Sequence, residues 1–491
     1  MNHTDALLKA ENYQSKAQKL AQQSYWKPKY HITAPANWIN DPNGFCYFNG
    51  EYHLFYQYHP YSSKWGPMHW GHTVSKDLAN WQNRPIALAP SNEYDKDGCF
   101  SGSAIEKDGK LYVLYTGHVD LEKINVDDSD RIESQCLAIS EDGINFNKFE
   151  QNPVIKELPR NLNLSTEHFR DPKIWQHDNM YYAIVGAQTK QKTGQVVVYK
   201  SRDLYHWEFF NIMATSNEQE NLGFMWECPN FAEINDAEVL ILSPQGINPE
   251  GNKFLNLHQS GYFLGKMDYI SGIFERQSEF DLLDYGFDFY APQIMQDKIN
   301  NRCIMIGWLD MWETTMPEQK EHWAGMMSIP RILTIKNNMI YSIPAPELKI
   351  LRKEHIHYEQ EIQEETSFTK VYGDCYELNT CIDFKNAKNF MLKLRVSETE
   401  ETVLTYDKEL KIFKLNRNKS GKALSGEREV NIDLIDNKLE LQIFSDKSSL
   451  EIFLNKGQRV ISTRIYPTEN AQKIIFSADN VVNLNIDFYK L

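Results

Sequence analysis

Three acidic residues sit in short motifs whose composition suits chemistry better than packing. Asp41 lies in WINDPNGF (Trp38–Phe45), Asp171 in FRDPKIW (Phe169–Trp175) and Glu227 in WECPNF (Trp226–Phe231). Carboxyl groups gathered without an obvious set of metal ligands suggest cleavage of a glycosidic bond. That reaction needs one carboxylate as nucleophile or base and one carboxylic acid for the departing oxygen. Like charges and partial burial would raise the pKa of the acid and keep it protonated near neutrality. Asn40, Gln57, Trp65, Phe100, Ser101, Arg170, Tyr290 and Trp308 are the candidates to grip a hydroxyl-rich ring. Taken alone, Asn-Asp-Pro-Asn-Gly reads as a turn, and its segment is too polar for a core strand.

The three carboxylates are far apart in the chain, so a repeated unit must bring them together. Three repeats are visible. S-x-D-x-x-x-[WF] occurs at Ser75–Trp81, Ser140–Phe146 and Ser201–Trp207, with a degenerate copy from Lys266. An apolar strand begins near Tyr52, Lys110, Met180, Glu238 and Arg302. Before each of those strands stands a polar motif: NDPNG at Asn40, FSGSA at Phe100, RDPKI at Arg170, ECPNF at Glu227 and YAPQI at Tyr290. Five strand-rich units of roughly sixty residues predict an all-β fold, a five-bladed β-propeller. An array of β-sandwiches would not explain a polar motif at one fixed point of every unit. With the motifs at the start of the innermost strands, Asp41 from blade one, Asp171 from blade three and Glu227 from blade four meet at one mouth of the channel. The S-x-D repeats are expected to turn between outer strands.

The pattern predicts a helical N-terminal extension over 1–30, the propeller over 31–348, a linker or short helix over 349–360 and a C-terminal antiparallel β-sandwich over 361–491. Short alternating strands such as KLELQIF and SLEIFL, with a turn at Asn455-Lys456-Gly457, support the sandwich.

With 52 basic and 67 acidic residues, the net charge is −15. An acidic chain with no basic block is a poor partner for nucleic acid or an anionic membrane. A phosphorylated small substrate needs only a few local cations and stays open. The seven scattered cysteines form no CxxC pair, and the N-terminus lacks an apolar stretch of signal-peptide length. A reduced, cytoplasmic protein is expected. His69 and His72 read as core or rim residues rather than metal ligands, and the acidic stretch Asn125–Asp130 reads as a solvated loop.

WINDPNG, FRDPKIW and WECPNF, together with FSGSA, WGPMHWGH at Trp65–His72 and SSLEIFLNKG in the C-terminal part, resemble glycoside hydrolase family 32. That family holds invertases, sucrose-6-phosphate hydrolases, fructanases and levanases. The resemblance implies a retaining β-fructofuranosidase with Asp41 as nucleophile, Glu227 as acid/base and Asp171 as transition-state stabiliser. Arg170 would orient the site and the acid/base. It implies no cofactor and no metal, a small sugar substrate (sucrose, sucrose 6-phosphate or fructo-oligosaccharides) and a monomer or homodimer. Fructosyl transfer through the same intermediate, or a silent fructan-binding propeller, are the competing readings. Pro42 and Pro172 are expected to hold the preceding aspartates extended.

Overall fold

The computed structural model describes residues 1–122, 130–156, 158–159, 162–165, 167–235 and 237–491, and the acidic stretch at 125–130 falls, but for its last residue, outside them. Strands dominate. A single α-helix, His3–Ala21, opens the described residues; Asn2 caps it by accepting a hydrogen bond from Asp5 N at 2.8 Å. No helix is long and apolar enough to cross a membrane among the described residues.

The described residues between 37 and 344 form five separate sheets, each an antiparallel meander in chain order. Their first strands are Asn37–Phe48, Gly98–Lys107, Phe169–His177, Met225–Ile234 and Tyr290–Asp297. Each packs against the first strand of the next sheet, and the fifth packs back against the first. The apolar repeats are the second strands; Glu51–His59 and Met180–Gln188 are buried along almost their whole length. Sheet one also takes a late piece of chain, Trp323–Ala324, which pairs in parallel with Asn37 and Trp38.

The S-x-D repeats are turns between third and fourth strands. Asp77, Asp142, Asp203 and Asp268 each accept backbone N–H groups two and three residues on. Trp81 and Trp207 close their turns by donating to Leu78 O and Leu204 O.

The C-terminal part is a sandwich of a six-stranded and a five-stranded sheet. Period-two burial, as in Val482, Leu484, Ile486 and Phe488, points one face of each strand into a shared apolar core. Burying each such side chain contributes about 1.5–3 kcal/mol. Ser449–Leu454 and Arg459–Arg464 are joined through Asn455, Lys456 and Gly457, all at positive φ. The segment expected as a linker differs: His355–Ile362 is a strand paired along its length with Val482–Tyr489. It is an edge strand with one partner, and Gln360, exposed at a position in phase with Ile356, Tyr358 and Ile362, breaks the alternation.

The junction between the two parts is polar and buried. Arg331 bonds Asp284 and Glu451, Arg417 bonds Asp288, and Arg464 bonds Asp310 and Glu318. The segment after the N-terminal helix joins in: His31 Nδ1 lies 2.8 Å from Asp446 and Nε2 2.9 Å from Glu451.

Candidate active site

WINDPNGF is not a turn. It lies within the strand Asn37–Phe48, and its polar residues are buried. In all five first strands the pairing with the second strand slips by one residue at the polar motif: between Ile39 and Pro42, Cys99 and Gly102, Arg170 and Lys173, Glu227 and Asn230, Tyr290 and Gln293. A β-bulge inserts one extra residue and re-aims side chains without ending the strand. The proline lacks a ladder N–H and suits such a site. Asp171, Cys228 and Ala291, each before its proline, have φ of 68°, 45° and 48°. This corrects the expected extended Asp171: a left-handed, non-glycine residue stores about 1–3 kcal/mol of strain.

The fourth position of each motif carries a buried polar residue: Asn43, Ser103, Lys173, Asn230 and Gln293. These tie the ring of sheets together. Ser103 donates to Pro172 O at 2.8 Å, Asn230 to Pro292 O at 2.8 Å and Gln293 to Gly102 O at 3.2 Å, while Lys173 reaches Ile294 O. Below the carboxylates the inner wall is therefore cross-linked rather than soft.

Asp41 and Asp171 meet at Cys228. Its Sγ lies 3.5 Å from Asp41 Oδ2 and 3.5 Å from Asp171 Oδ2, and its N–H donates to Asp171 Oδ2 at 3.0 Å. Asp41 Oδ1 accepts from Asn40 Nδ2 at 3.0 Å, and Oδ2 from Ser101 Oγ at 2.8 Å. Asn40 is held by Trp38, which donates its indole N–H to Asn40 Oδ1 at 2.8 Å. Asn43, its amide assigned from its hydrogen-bond partners, accepts from Gln57 Nε2 at 2.9 Å and donates to Ser101 Oγ at 3.2 Å.

Glu227 neighbours Cys228 and is 15% exposed at its side chain. Arg170 gives Oε1 two bonds, from Nε at 3.0 Å and Nη2 at 2.9 Å. Gln245 donates to Oε2 at 2.9 Å, and the Tyr290 hydroxyl also bonds Oε2. The third nitrogen of Arg170 reaches Glu133 and His168. Glu133 is buried and bonded to Phe169 N; burial pushes its pKa up, but Arg170 and His118 hold it down at about 2.

The electrostatics reverse one expectation. Burial alone would raise the Glu227 pKa, but the Arg170 charge, the Tyr290 hydroxyl and nearby His258 outweigh it and hold the group below its usual value. Asp171 is the carboxyl pushed up, by burial and by the charges of Glu227 and Asp41, despite Arg170. Asp41 is raised by burial and by Glu227, and pulled back by Asn40, Ser101 and Cys228. Like-charge repulsion is present, as expected; the bonded guanidinium decides which carboxyl bears it.

The other expected contacts divide. Trp65 is 50% exposed and stands edge-on to the half-buried Phe100, which stacks on His118 at 4.0 Å. These two form the rim. Gln57 is buried and bonds Cys99 O at 3.0 Å, so it braces the wall. Tyr290 is buried behind Glu227. Trp308 corrects the expectation of a sugar contact: it is fully buried against Trp38 and Trp312 and offers no open ring face. His72 pairs with His53 at 3.0 Å and His69 with Pro67 O, both in the core as expected. The sequence reading missed Glu133, His168, Gln245 and His258. One signal was available for Gln245: it ends the second strand of sheet four, opposite Met225 and two residues from the partner of Glu227.

The chain resembles proteins of known class along its whole length. It is 40% identical to a sucrose-6-phosphate hydrolase of Zymomonas mobilis, covering 95% of this chain and 92% of that protein. It is 35% identical to the sucrose-6-phosphate hydrolase of Bacillus subtilis, covering 97% and 96%. Among solved structures, a Bombyx mori β-fructofuranosidase variant in complex with sucrose superposes with a TM-score of 0.87 at 34% identity, covering 100% and 99%. Sucrose-6-phosphate hydrolase from Lactobacillus gasseri gives 0.86 at 31% identity, covering 98% and 96%. The models for the N-terminal domain and the C-terminal part of glycosyl hydrolases family 32 match residues 31–344 and 347–490, so the chain belongs to glycosyl hydrolase family 32.

Proposed function

We propose that this glycoside hydrolase is a retaining β-fructofuranosidase acting on sucrose 6-phosphate and, less well, on sucrose and short fructo-oligosaccharides. One observation carries the reading: carboxylates from sheets one and three contact Cys228, whose neighbour on sheet four is the third carboxylate. In this reading the five sheets are the blades of a five-bladed propeller over 31–348. Residues 1–30 are an N-terminal extension, and the sandwich follows from about residue 355.

Asp41 attacks the anomeric carbon of the fructosyl unit, and Glu227 gives a proton to the departing oxygen. Glu227 then takes a proton from water, which releases fructose from Asp41. Asp171 bonds fructose hydroxyls and does not attack. A sugar filling the pocket strips the remaining water from Glu227, and that desolvation pushes its carboxyl toward the neutral form. Tyr290 serves both states. Its hydroxyl touches Glu227 and lies 3.2 Å from Ser243 O. It donates to an ionised Glu227, or donates to Ser243 O while accepting from a protonated one. The relatives named sucrose-6-phosphate hydrolases motivate the phosphorylated substrate. The setting is cytoplasmic, which suits seven unpaired cysteines.

Side-by-side kinetics on sucrose 6-phosphate, sucrose, 1-kestose and inulin test this. The expected order of kcat/KM is as written, with fructose and the glucose moiety released equally. A fructose deficit would mean transfer, and no release from any fructoside would mean a binding protein. Glu227→Gln is expected to slow turnover of sucrose by about 10²–10⁴-fold with the fold intact.

A further inference from the structure

We propose that Arg464, a residue of the C-terminal sandwich, is a positioning residue for Asp41, acting through the 309–322 loop. The inference rests on the assignment of Asp41 as nucleophile.

Arg464 ends the strand Arg459–Arg464, and its side chain is wholly buried. Its guanidinium crosses the junction. Nη1 donates to Asp310 Oδ2 at 2.7 Å and Nη2 to Glu318 Oε1 at 3.0 Å, while Nε donates to Ser448 O at 3.1 Å. Asp310 and Glu318 are also fully buried, and they stand near the two ends of one loop. Two charge-assisted bonds from one planar fork therefore set the loop's span.

The loop leads to the chemistry by two routes. Trp312 stacks on Trp38 with ring centres 5.9 Å apart and planes 29° apart, and it packs edge-on to Trp308 at 5.1 Å. The loop's end, Trp323–Ala324, pairs in parallel with Asn37 and Trp38, and Asn37 N donates to His322 O at 2.7 Å. Both routes fix Trp38. Trp38 holds Asn40, and Asn40 donates to Asp41 Oδ1. Every link is a bonded or stacked contact, and Trp38, Asn40 and Asp41 are buried with Trp312 partly so, which passes a shift of the loop to the nucleophile rather than absorbing it.

The experiment compares Arg464→Met, Arg464→Lys and Arg395→Met. Arg395 is equally buried in the same sandwich, but it bonds the carbonyls of Ala471, Asp446 and Lys447 and the Tyr25 hydroxyl, and among the described residues it makes no direct hydrogen bond to the 309–322 loop. Arg464→Met is expected to lower kcat on sucrose by about 10–100-fold, since small misplacements of reacting groups cost that much. It also moves the acid limb of kcat/KM to higher pH, because a displaced Asn40 no longer favours the ionised Asp41. Glu227, Asp171, Cys228, Tyr290 and Ser101, the other groups facing Asp41, are unchanged. Arg464→Lys, which keeps the charge but not the fork, recovers part of kcat. Arg395→Met lowers the melting temperature and leaves kcat, KM and the pH profile alone. If Arg464→Met does not fold, adding Asp310→Asn and Glu318→Gln removes the stranded charges, and the folded triple variant should keep the kinetic defect.

Folded Arg464 variants with wild-type kcat, KM and pH profile would overturn the inference, as would an equal kinetic defect in Arg395→Met. Failure of the functional reading looks different: a wild-type protein inert on every fructoside, or an active Asp41→Ala variant, whatever Arg464 does.

Discussion

Arg170 holds Glu227 Oε1 with two nitrogens, at 3.0 and 2.9 Å, while its third nitrogen engages Glu133 at 3.2 Å. One side chain thus orients the proton donor and is itself oriented from behind. Lysine carries the charge without the fork. Arg170→Lys is expected to reduce kcat/KM on sucrose by about 10²-fold or more, with a native circular dichroism spectrum. Retention of a third of wild-type kcat/KM would mean that charge alone suffices.

Tyr290 favours the ionised form of Glu227 by donating to it. Removing that bond raises the pKa of Glu227. The basic limb of the pH profile requires Glu227 protonated, so it should move to higher pH in Tyr290→Phe. The apparent values belong to the coupled carboxylates rather than to one residue. The measurement is kcat/KM on sucrose across pH; a basic limb that stays put or moves down would remove Tyr290 from the tuning of Glu227.

Stereochemistry separates a nucleophilic Asp41 from a general base. Two displacements restore the β configuration, whereas one inverts it. Free fructose mutarotates too fast to report this easily, but a methyl glycoside does not. Sucrose turned over in dilute methanol should yield methyl β-fructofuranoside, identified by NMR. The α anomer as the main enzymatic product would exclude a covalent Asp41 intermediate.

His31 makes folding stability depend on pH. Burial alone would lower its pKa, but bonds to Asp446 and Glu451 win and raise it from 6.5 to about 9. A raised folded-state value means the stabilisation is fully present below about 6.5 and is lost as pH rises through about 9. A shift of that size corresponds to about 3 kcal/mol. In urea titrations the stability gap between wild type and His31→Gln should shrink between pH 6 and pH 10. A gap independent of pH would show that His31 stays neutral.

The ring of sheets and the three carboxylates were legible because each unit repeats a polar motif in one place. The conformation of the motif was not. Asp41-Pro42 and Asp171-Pro172 carry turn residues, and local propensity reads them as punctuation. Only the slipped pairing with Tyr56 or Ile184, supplied by the neighbouring strand, makes them bulges. Glu133 was hidden for the same reason. Nothing local distinguishes it from a surface glutamate until sheet three places Arg170 beside it. Trp308 misled because it ends the second strand opposite Tyr290, next to a polar motif, while packing against Trp38 and Trp312 buries its ring fully. The edge strand His355–Ile362 escaped because Gln360, in phase with Ile356, Tyr358 and Ile362, interrupts the period-two signal.

The bond between His31 and Asp446 has a consequence for how the molecule is made. The two residues are 415 positions apart. At ribosomal speeds of about 5–20 residues per second, His31 leaves the exit tunnel roughly 20–80 s before its partner. Sheet one likewise waits for Trp323–Ala324 before Asn37 and Trp38 gain their parallel partner. The nascent chain therefore carries an unfinished first sheet for most of its synthesis, and a truncated product lacking the sandwich loses the anchors of Lys29, Tyr30 and His31 on Asp446 and Glu451. Such fragments are the species on which holdase chaperones and cellular proteases would act.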